Sequence, residues 1–212
     1  MNQLHDVFIP LVDLMSTNLC NKTPSSTALI DSMPIIMAQQ GRRFHAKVAP
    51  GIASPNGYCA AKKLHFYCVR LHVVAYRQVG ALPLPVFIGL VDAGIYDRKA
   101  FEQIAPFLPE RIKECFADKA YQVEDEPIHK EGGVLLLTPV KKKKGQSHLD
   151  VADSLLSTAI SRVRQPIESF FSWIQEKTGL QIASKVRSYK GLIVHTFGKL
   201  AAALFMLLIS YP

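Results

Sequence analysis

Three acidic side chains in this chain have the type and the setting for divalent-metal chemistry. Asp31 and Asp118 each follow a short apolar run, and Glu168 opens an amphipathic, aromatic-rich stretch. Carboxylate oxygens are the ligands that Mg²⁺ prefers in proteins. Two such ions, about 3.5–4 Å apart, activate the attacking oxygen and stabilise the leaving oxygen in an in-line displacement at phosphorus. If the fold gathers the three acids, phosphoryl transfer is the chemistry that they predict.

Each acid also has an ordinary structural explanation. An Asp that follows an apolar run is usually a cap or turn residue, and Lys119 could simply be the ion-pair partner of Asp118. Glu168 comes shortly after Pro166, and the helix dipole favours an acid in the first turn of a helix. The prediction of a metal site therefore depends on all three acids together.

Basic residues near these acids are candidates for contact with phosphate. Arg70 and His72 lie two positions apart in a strand-like run, so their side chains share one face of the strand. We expect them to contact phosphate if that face lies over Asp31, whereas a histidine in a strand is otherwise more often a core or edge residue. Arg164 precedes Glu168 by four residues and shares its helix face if the helix is unbroken. For Arg164, the sequence favours a contact with phosphate and a stabilising ion pair equally.

The overall charge favours a polyanionic partner. Twenty-five Lys and Arg residues stand against 17 Asp and Glu, a formal net charge of +8. Further candidates for contact with a DNA backbone are Lys119, Lys185, Arg187 and Lys190. The run Lys141 to Lys144 is predicted to be a solvated loop, although it too could follow a DNA backbone.

Length and composition indicate one folded core without a membrane span. The 212 residues, 49% of them hydrophobic, fit a single domain, which we place at residues 27–212 after a helix and connector at 1–26. The apolar run Leu200 to Ile209 is too short to cross a bilayer, so we expect a buried terminal helix. The N-terminus lacks the pattern of a signal peptide. The four cysteines form no C-x-x-C pair, which argues against zinc and favours free thiols in a reducing compartment.

Hydrophobic periodicity predicts an α/β fold with a mixed five-stranded sheet flanked by helices. A helix is expected over residues 3–16, bent near Pro10, and another from residue 151 onward that Pro166 kinks or restarts. Asp97 is expected to cap a short helix that ends at Ile104. Residues 41–62 are expected to form a basic mobile loop. The predicted strands cover residues 27–30, 64–76, 84–91, 111–117 and 133–140.

Four segments together resemble a known enzyme family. They are IDSMP around Asp31, the stretch YCAAKKLHFYCVRLH, ADKAY around Asp118, and RVRQPIESFFSWIQEKTGLQ around Glu168. The chain is similar over these segments to the catalytic domain of bacterial insertion-sequence transposases of the DDE type. This resemblance implies a ribonuclease-H-like fold in which Asp31 bridges two Mg²⁺ ions, Asp118 holds one and Glu168 the other. Mn²⁺ is expected to substitute for Mg²⁺.

The chain also departs from the family pattern. Ser161 and Gln175 stand where many relatives carry Tyr and Lys around the conserved Arg and Glu, and Gly94 and Tyr96 replace a common Asn and His. Relatives carry a helical DNA-binding region before the first Asp, whereas 30 residues precede Asp31 here. We therefore expect this chain to cut DNA without preferring element ends.

The function expected from the resemblance is metal-dependent cleavage and strand transfer of double-stranded DNA at insertion-sequence ends. Such a protein would act in the bacterial cytoplasm at the nucleoid, and a homodimer is left open. The alternatives are a truncated inactive remnant, a metal-dependent nuclease without strand transfer, and a nucleic-acid-binding module without catalysis. Only the last alternative predicts that the three acids do not converge.

Overall fold

The computed structural model describes residues 4–59, 63–123 and 126–210. The fold is α/β, a mixed seven-stranded sheet flanked by helices. The strands are β1 Thr27–Gln39, β2 Ser54–Cys59, β3 Leu64–Tyr76, β4 Leu84–Asp92, β5 Glu114–Phe116, β6 Ile128–Glu131 and β7 Val134–Leu137. The helices are α1 Leu4–Lys22, α2 Asp97–Ile104, α3 Val151–Thr178 and α4 Tyr189–Ser210.

Two long antiparallel strands, β1 and β3, form the centre of the sheet. Both are rich in β-branched, aromatic and other apolar residues, which pack well on a pleated surface. Their register sets Asp31 opposite Val73 and Ser32 opposite His72. Because successive side chains alternate between faces, Asp31 and Ser32 point to opposite sides of the sheet.

The remaining strands extend the sheet in both directions from this pair. The strand order is β2, β3, β1, β5, β7, β6, and β4 also pairs with β3. β2 pairs with the first part of β3 and β4 with the second part, so both lie on the side of β3 away from β1. β5 is parallel to β1 and β7 is parallel to β5, whereas β6 is antiparallel to β7.

The predicted count of five strands is wrong, because β2 and β6 were not expected. β2 contains Pro55 and Gly57, which are typical of loops. The sequence therefore does not indicate that this segment forms a strand at the sheet edge. β2 lies within the predicted loop 41–62. Lys62 of that loop falls outside the described residues. β6 and β7 form a hairpin through Gly132 and Gly133 at φ of 54° and 85°, a turn geometry that favours glycine. β5 and β7 are also shorter than the predicted strands.

α1 and α4 are longer than the sequence suggested, whereas α2 ends at Ile104 as expected. α1 continues to Lys22 with Pro10 inside it, since a proline removes only one hydrogen bond from a packed helix. α3 runs unbroken through Pro166 for 28 residues, so Pro166 does not start a new helix. The side chain of Asp150 caps the first turn of α3, and Gly179 ends the helix at φ 62°.

The predicted terminal segment lies inside α4, which packs against α1 and α3. Nine of its side chains are buried, including Leu200 and Leu204. Of the helices in the described ranges, α4 alone has the length and hydropathy to cross a membrane, and 50% of its most apolar window is buried. That burial is typical of a core helix. As expected, Cys68 and Cys115 are buried free thiols.

We expect the two halves of α3 to contribute unequally to stability. Phe170 is fully buried, whereas Leu155 on the same helix is 66% exposed. Phe170→Ala should lower the free energy of unfolding by about 3–5 kcal/mol, because it removes apolar contacts and leaves a cavity. Leu155→Ala should change it by less than about 0.5 kcal/mol. Urea denaturation of both variants measures this, and equal effects would contradict the packing of α3.

Candidate active site

The guanidinium of Arg164 joins two of the three predicted acids. Its Nη1 donates to Oδ2 of Asp31 at 2.9 Å, and its Nη2 donates to Oε1 of Glu168. Asp31 lies on β1, whereas Arg164 and Glu168 lie one turn apart on α3. Because α3 is unbroken at Pro166, Arg164 and Glu168 share one helix face. The helix therefore brings Glu168 next to a carboxylate that is 137 positions away in the sequence.

The parallel pairing of β1 with β5 sets the position of Asp118. Leu29 pairs with Phe116, and Asp31 and Asp118 each follow that pair by two residues. Asp118 then caps the short 3-10 turn 119–121, where its Oδ1 accepts the backbone N–H of Ala120 at 2.7 Å. The charges of Asp31, Asp118 and Glu168 all act on Arg164 and raise its pKa. Arg164 thus contacts two of the three predicted acids, and the charge of the third, Asp118, also acts on it.

Burial makes ionisation of Asp31 costly. It raises the pKa of Asp31 to about 7, because a carboxylate is poorly solvated there. Arg164 and the N–H of Ser32 lower this pKa, while the negative charges of Asp118 and Glu168 raise it further. Burial also raises the pKa of Asp118, whereas the hydrogen bond from Ala120 lowers it. The site therefore holds crowded negative charge that a further cation would stabilise.

Asp97 lies on the other face of β1 from Asp31, and its predicted role as a helix cap is wrong. α2 begins at Asp97 itself, and Tyr96 occupies the N-cap position without a side-chain cap. Oδ1 of Asp97 instead accepts hydrogen bonds from Nη1 of Arg70 at 2.5 Å and from Oγ of Ser32 at 3.0 Å. The interaction with Arg70 fixes the start of α2 against the sheet. The residues next to an Asp at the start of a helix do not indicate that its side chain pairs with an arginine on a strand.

His72 is fully buried, so its side chain cannot touch a nucleic acid phosphate in this conformation. Its Nδ1 lies 3.1 Å from the hydroxyl of Tyr121, and its Nε2 lies 3.8 Å from Oδ1 of Asp97. Burial lowers the pKa of His72 to about 4, although Asp97 acts in the opposite direction. The ring is therefore neutral near pH 7.

Arg70 and His72 do not lie over Asp31. They share the strand face of Ser32, which is opposite to the face of Asp31. The guanidinium of Arg70 is paired with Asp97. We expected Arg70 and His72 to contact phosphate only if their face of the strand lay over Asp31, and in this structure it does not.

The other predicted DNA contacts are exposed and form no ion pair with the three acids within the described residues. In the described part of the chain Lys119 forms no ion pair with Asp118, which is bonded to the N–H of Ala120 instead. The connection from α3 to α4 pairs with β1 at Ile36, five residues beyond Asp31. Its exposed cations make no contact with the carboxylates within the described ranges, and they are Lys185, Arg187 and Lys190.

The donor chemistry of this site fits Mg²⁺ or Mn²⁺. Within the described residues, no group of three or more His, Cys, Asp and Glu side chains has the geometry to hold one ion. Arg164 pairs with both Asp31 and Glu168 in this structure. The available ligands are nevertheless hard carboxylate oxygens, and three carboxyl groups, those of Asp31, Asp118 and Glu168, act on the single guanidinium of Arg164. Asp31, Asp118 and Glu168 are the side chains that would hold a cation.

A scan against protein-family models and searches of curated proteins and of solved structures give no match to this chain.

His72 makes the stability of the protein depend on pH. Its pKa falls from 6.5 to about 4 on folding, so the unfolded chain binds more protons between these values. The contribution of His72 to the free energy of unfolding should therefore fall as pH drops from about 6.5 to 4, by up to about 3 kcal/mol. The raised pKa of Asp31 acts in the opposite direction over nearly the same range, so the difference between the original chain and a variant at His72 isolates this contribution. In His72→Gln this loss should be absent. The control is a change at an exposed histidine, His148→Gln, and urea denaturation at several pH values compares the three proteins.

The pair of Arg164 with Asp31 should be coupled much more strongly than a surface ion pair. Arg164→Met leaves a buried carboxylate unpaired and should cost about 3 kcal/mol of unfolding free energy at pH 8. A double-mutant cycle with Asp31→Asn should give a coupling energy of at least about 1.5 kcal/mol. The matched cycle on the exposed pair Arg98 and Glu102, also four residues apart in a helix, should give about 0.3–0.5 kcal/mol. Equal values would show that Arg164 does not hold the site together.

Proposed function

We propose that this chain cuts and joins DNA by metal-dependent phosphoryl transfer, as the catalytic domain of a DDE transposase of the insertion-sequence type. The observation that supports the proposal is that Arg164 contacts Asp31 and Glu168, while the charge of Asp118 also acts on Arg164. Asp31 lies on β1, Asp118 follows the neighbouring parallel strand β5, and Glu168 lies on α3. A set of carboxylates drawn from distant sequence is what a shared pair of divalent ions requires.

The topology supports a ribonuclease-H-like fold for this proposal. β1, β3 and β4 are successive antiparallel neighbours, whereas β5 and β7 continue the sheet in parallel with β1. This is the plan of antiparallel strands followed by parallel ones, with helices on the sheet. The third acid then arrives on the long helix α3, as the resemblance implies.

In this proposal, some residues of the chain would hold the cations and others would hold phosphate. Mg²⁺, or Mn²⁺ in its place, would supply the Lewis acid that activates the attacking oxygen and stabilises the leaving one. Asp31, Asp118 and Glu168 would hold the ions. Arg164 keeps Glu168 beside Asp31 in the free protein, and its planar guanidinium is suited to a phosphate oxygen when substrate is present.

The pair of Asp97 and Arg70 has a positioning role in this proposal. Asp97 ties α2 to β3 through Arg70 and to β1 through Ser32. Ser32 follows Asp31 directly, and its backbone N–H donates to Oδ1 of Asp31 at 2.8 Å. Fixing Ser32 thus fixes the backbone that carries the central carboxylate.

One observation favours a second candidate, a DNA-binding protein without catalysis. Arg164 already satisfies one oxygen each of Asp31 and Glu168. A site that is neutralised by its own arginine does not require a metal ion. The two candidates differ in whether divalent metal produces cut or joined DNA.

Replacing Glu168 by Gln tests the proposal directly. The change keeps the size of the side chain but removes a charged ligand, so metal-dependent cleavage should be lost while DNA binding persists. Nicking of a supercoiled plasmid with Mg²⁺ or Mn²⁺, and with a chelator as blank, measures cleavage. Gel analysis of a labelled duplex detects joined products, which separates strand transfer from simple hydrolysis.

The matched control is Glu176→Gln, which removes the same charge from an exposed position of the same helix. Its cleavage should equal that of the original chain. If the Glu168→Gln protein still cuts DNA, the assignment of the site is overturned. If the original chain cuts nothing with either metal, the non-catalytic candidate replaces the proposal.

A further inference from the structure

A polar groove of about 500 Å³ lies beside the candidate active site. One wall is the first half of α3, and the other includes the 3-10 turn 119–121 and the segment after β7. The side chains that matter for its chemistry are Lys119, Ser154, Ser157, Ser161, Arg162 and Gln165. None of these residues is assigned a role in the phosphoryl-transfer site described above, except that Lys119 was predicted to contact DNA.

The groove wall on α3 is a stripe of hydroxyl and amide groups at helical spacing. Ser154, Ser157, Ser161 and Gln165 follow one another every three or four residues, so they share one side of the helix. The second half of α3 is instead anchored in the core by buried side chains such as Phe170. The polar stripe is therefore the exposed side of the first half of α3, which also packs through the buried Ile160.

The charge of the groove favours an anion. Among the described residues, the ionisable side chains that line it are Lys119 and Arg162, both exposed, and no described carboxylate lines it. Within the described residues neither cation is in an ion pair. Two unpaired cations beside free hydroxyl donors are typical of a surface that binds a phosphate backbone.

The groove continues directly from the acids. Lys119 follows Asp118 in the chain, and Gln165 follows Arg164, so each wall begins beside a residue of the site. Farther along, Oγ of Ser157 accepts the backbone N–H of Val140 at 3.0 Å and holds the second wall to α3. The exposed run Lys141 to Lys144 comes next in the chain.

We propose that this groove binds the phosphate backbone of the DNA strand that flanks the reacting phosphodiester. Lys119 and Arg162 contact phosphate oxygens, and the hydroxyl groups of Ser154 and Ser161 donate hydrogen bonds to them. The strand then leaves the active site toward the lysine run. The identity of the substrate rests on the proposed function, but binding in the groove requires no cleavage.

Neutralising the two cations tests the proposal in the absence of metal. Binding of a fluorescently labelled duplex is measured by anisotropy over a range of salt concentrations, with a chelator present. The double variant Lys119→Gln with Arg162→Gln should bind about tenfold or more weakly, and its slope of log affinity against log salt should shrink by about 1.8, since each phosphate contact contributes about 0.9.

The matched control removes two exposed lysines elsewhere, as Lys47→Gln with Lys113→Gln. Lys113 precedes β5 and so lies at the opposite end of that strand from Lys119. The control should keep most of the affinity. If the groove variant and the control lose affinity equally, the effect is one of overall charge and the groove proposal is wrong. Absence of DNA binding by the original chain would also overturn it.

A second pair of variants leaves the charge unchanged. Ser161→Phe fills the groove from an exposed helix position, whereas Ser172→Phe places the same ring 11 residues later on the same side of α3, beyond the groove. The first should weaken binding and the second should not. Normal binding by Ser161→Phe overturns the proposal.

These assays separate the groove from the catalytic site. If the groove variants lose binding and the original chain never cuts DNA, the groove proposal stands and the proposed function fails. If the original chain cuts DNA and the groove variants bind normally, the groove proposal fails and the proposed function stands.

Discussion

The structure of the candidate site depends on one partly buried cation between two acids. Arg164 contacts Asp31 on the central strand and Glu168 on its own helix, so one guanidinium joins the sheet to α3. Without it, burial and the neighbouring negative charges would leave Asp31 uncompensated. The same interaction that joins the sheet to α3 also occupies oxygens that a metal ion would need under the proposed function. Under that proposal, the ion pairs of Arg164 and the metal ions would compete for the same carboxylates.

A second polar network supports this arrangement from the other face of β1. Asp97 connects α2 to Arg70 and to Ser32, and His72 lies between Asp97 and Tyr121. His72 and Tyr121 are almost completely buried, so the network sits inside the protein rather than on a binding surface. Its effect on the candidate site is to hold the strand on which the central carboxylate lies.

Much of the fold could be predicted because its main signals are local. The β-branched and aromatic run of β3 identified that strand over its full length, whereas only residues 27–30 of the 13-residue strand β1 were predicted. The spacing of Arg164 and Glu168 allowed one helix face. The register of strands was not readable, because it is set by pairing between distant segments. For this reason the sequence left open whether Arg70 and His72 lie over Asp31, and it gave no indication that Asp97 would turn toward Arg70. β2 was missed since Pro55 and Gly57 resemble loop residues.

The short pairing of β5 has a consequence for how the protein opens. Asp118 is positioned by three residues that pair with β1 on one side and β7 on the other, next to the equally short hairpin of β6 and β7. Small paired segments near an edge open with lower free energy than long central strands. Amides of β5 should therefore exchange with solvent through local unfolding that leaves β1 and β3 intact. In such openings the acids would lose their relative positions, well before the protein as a whole unfolds.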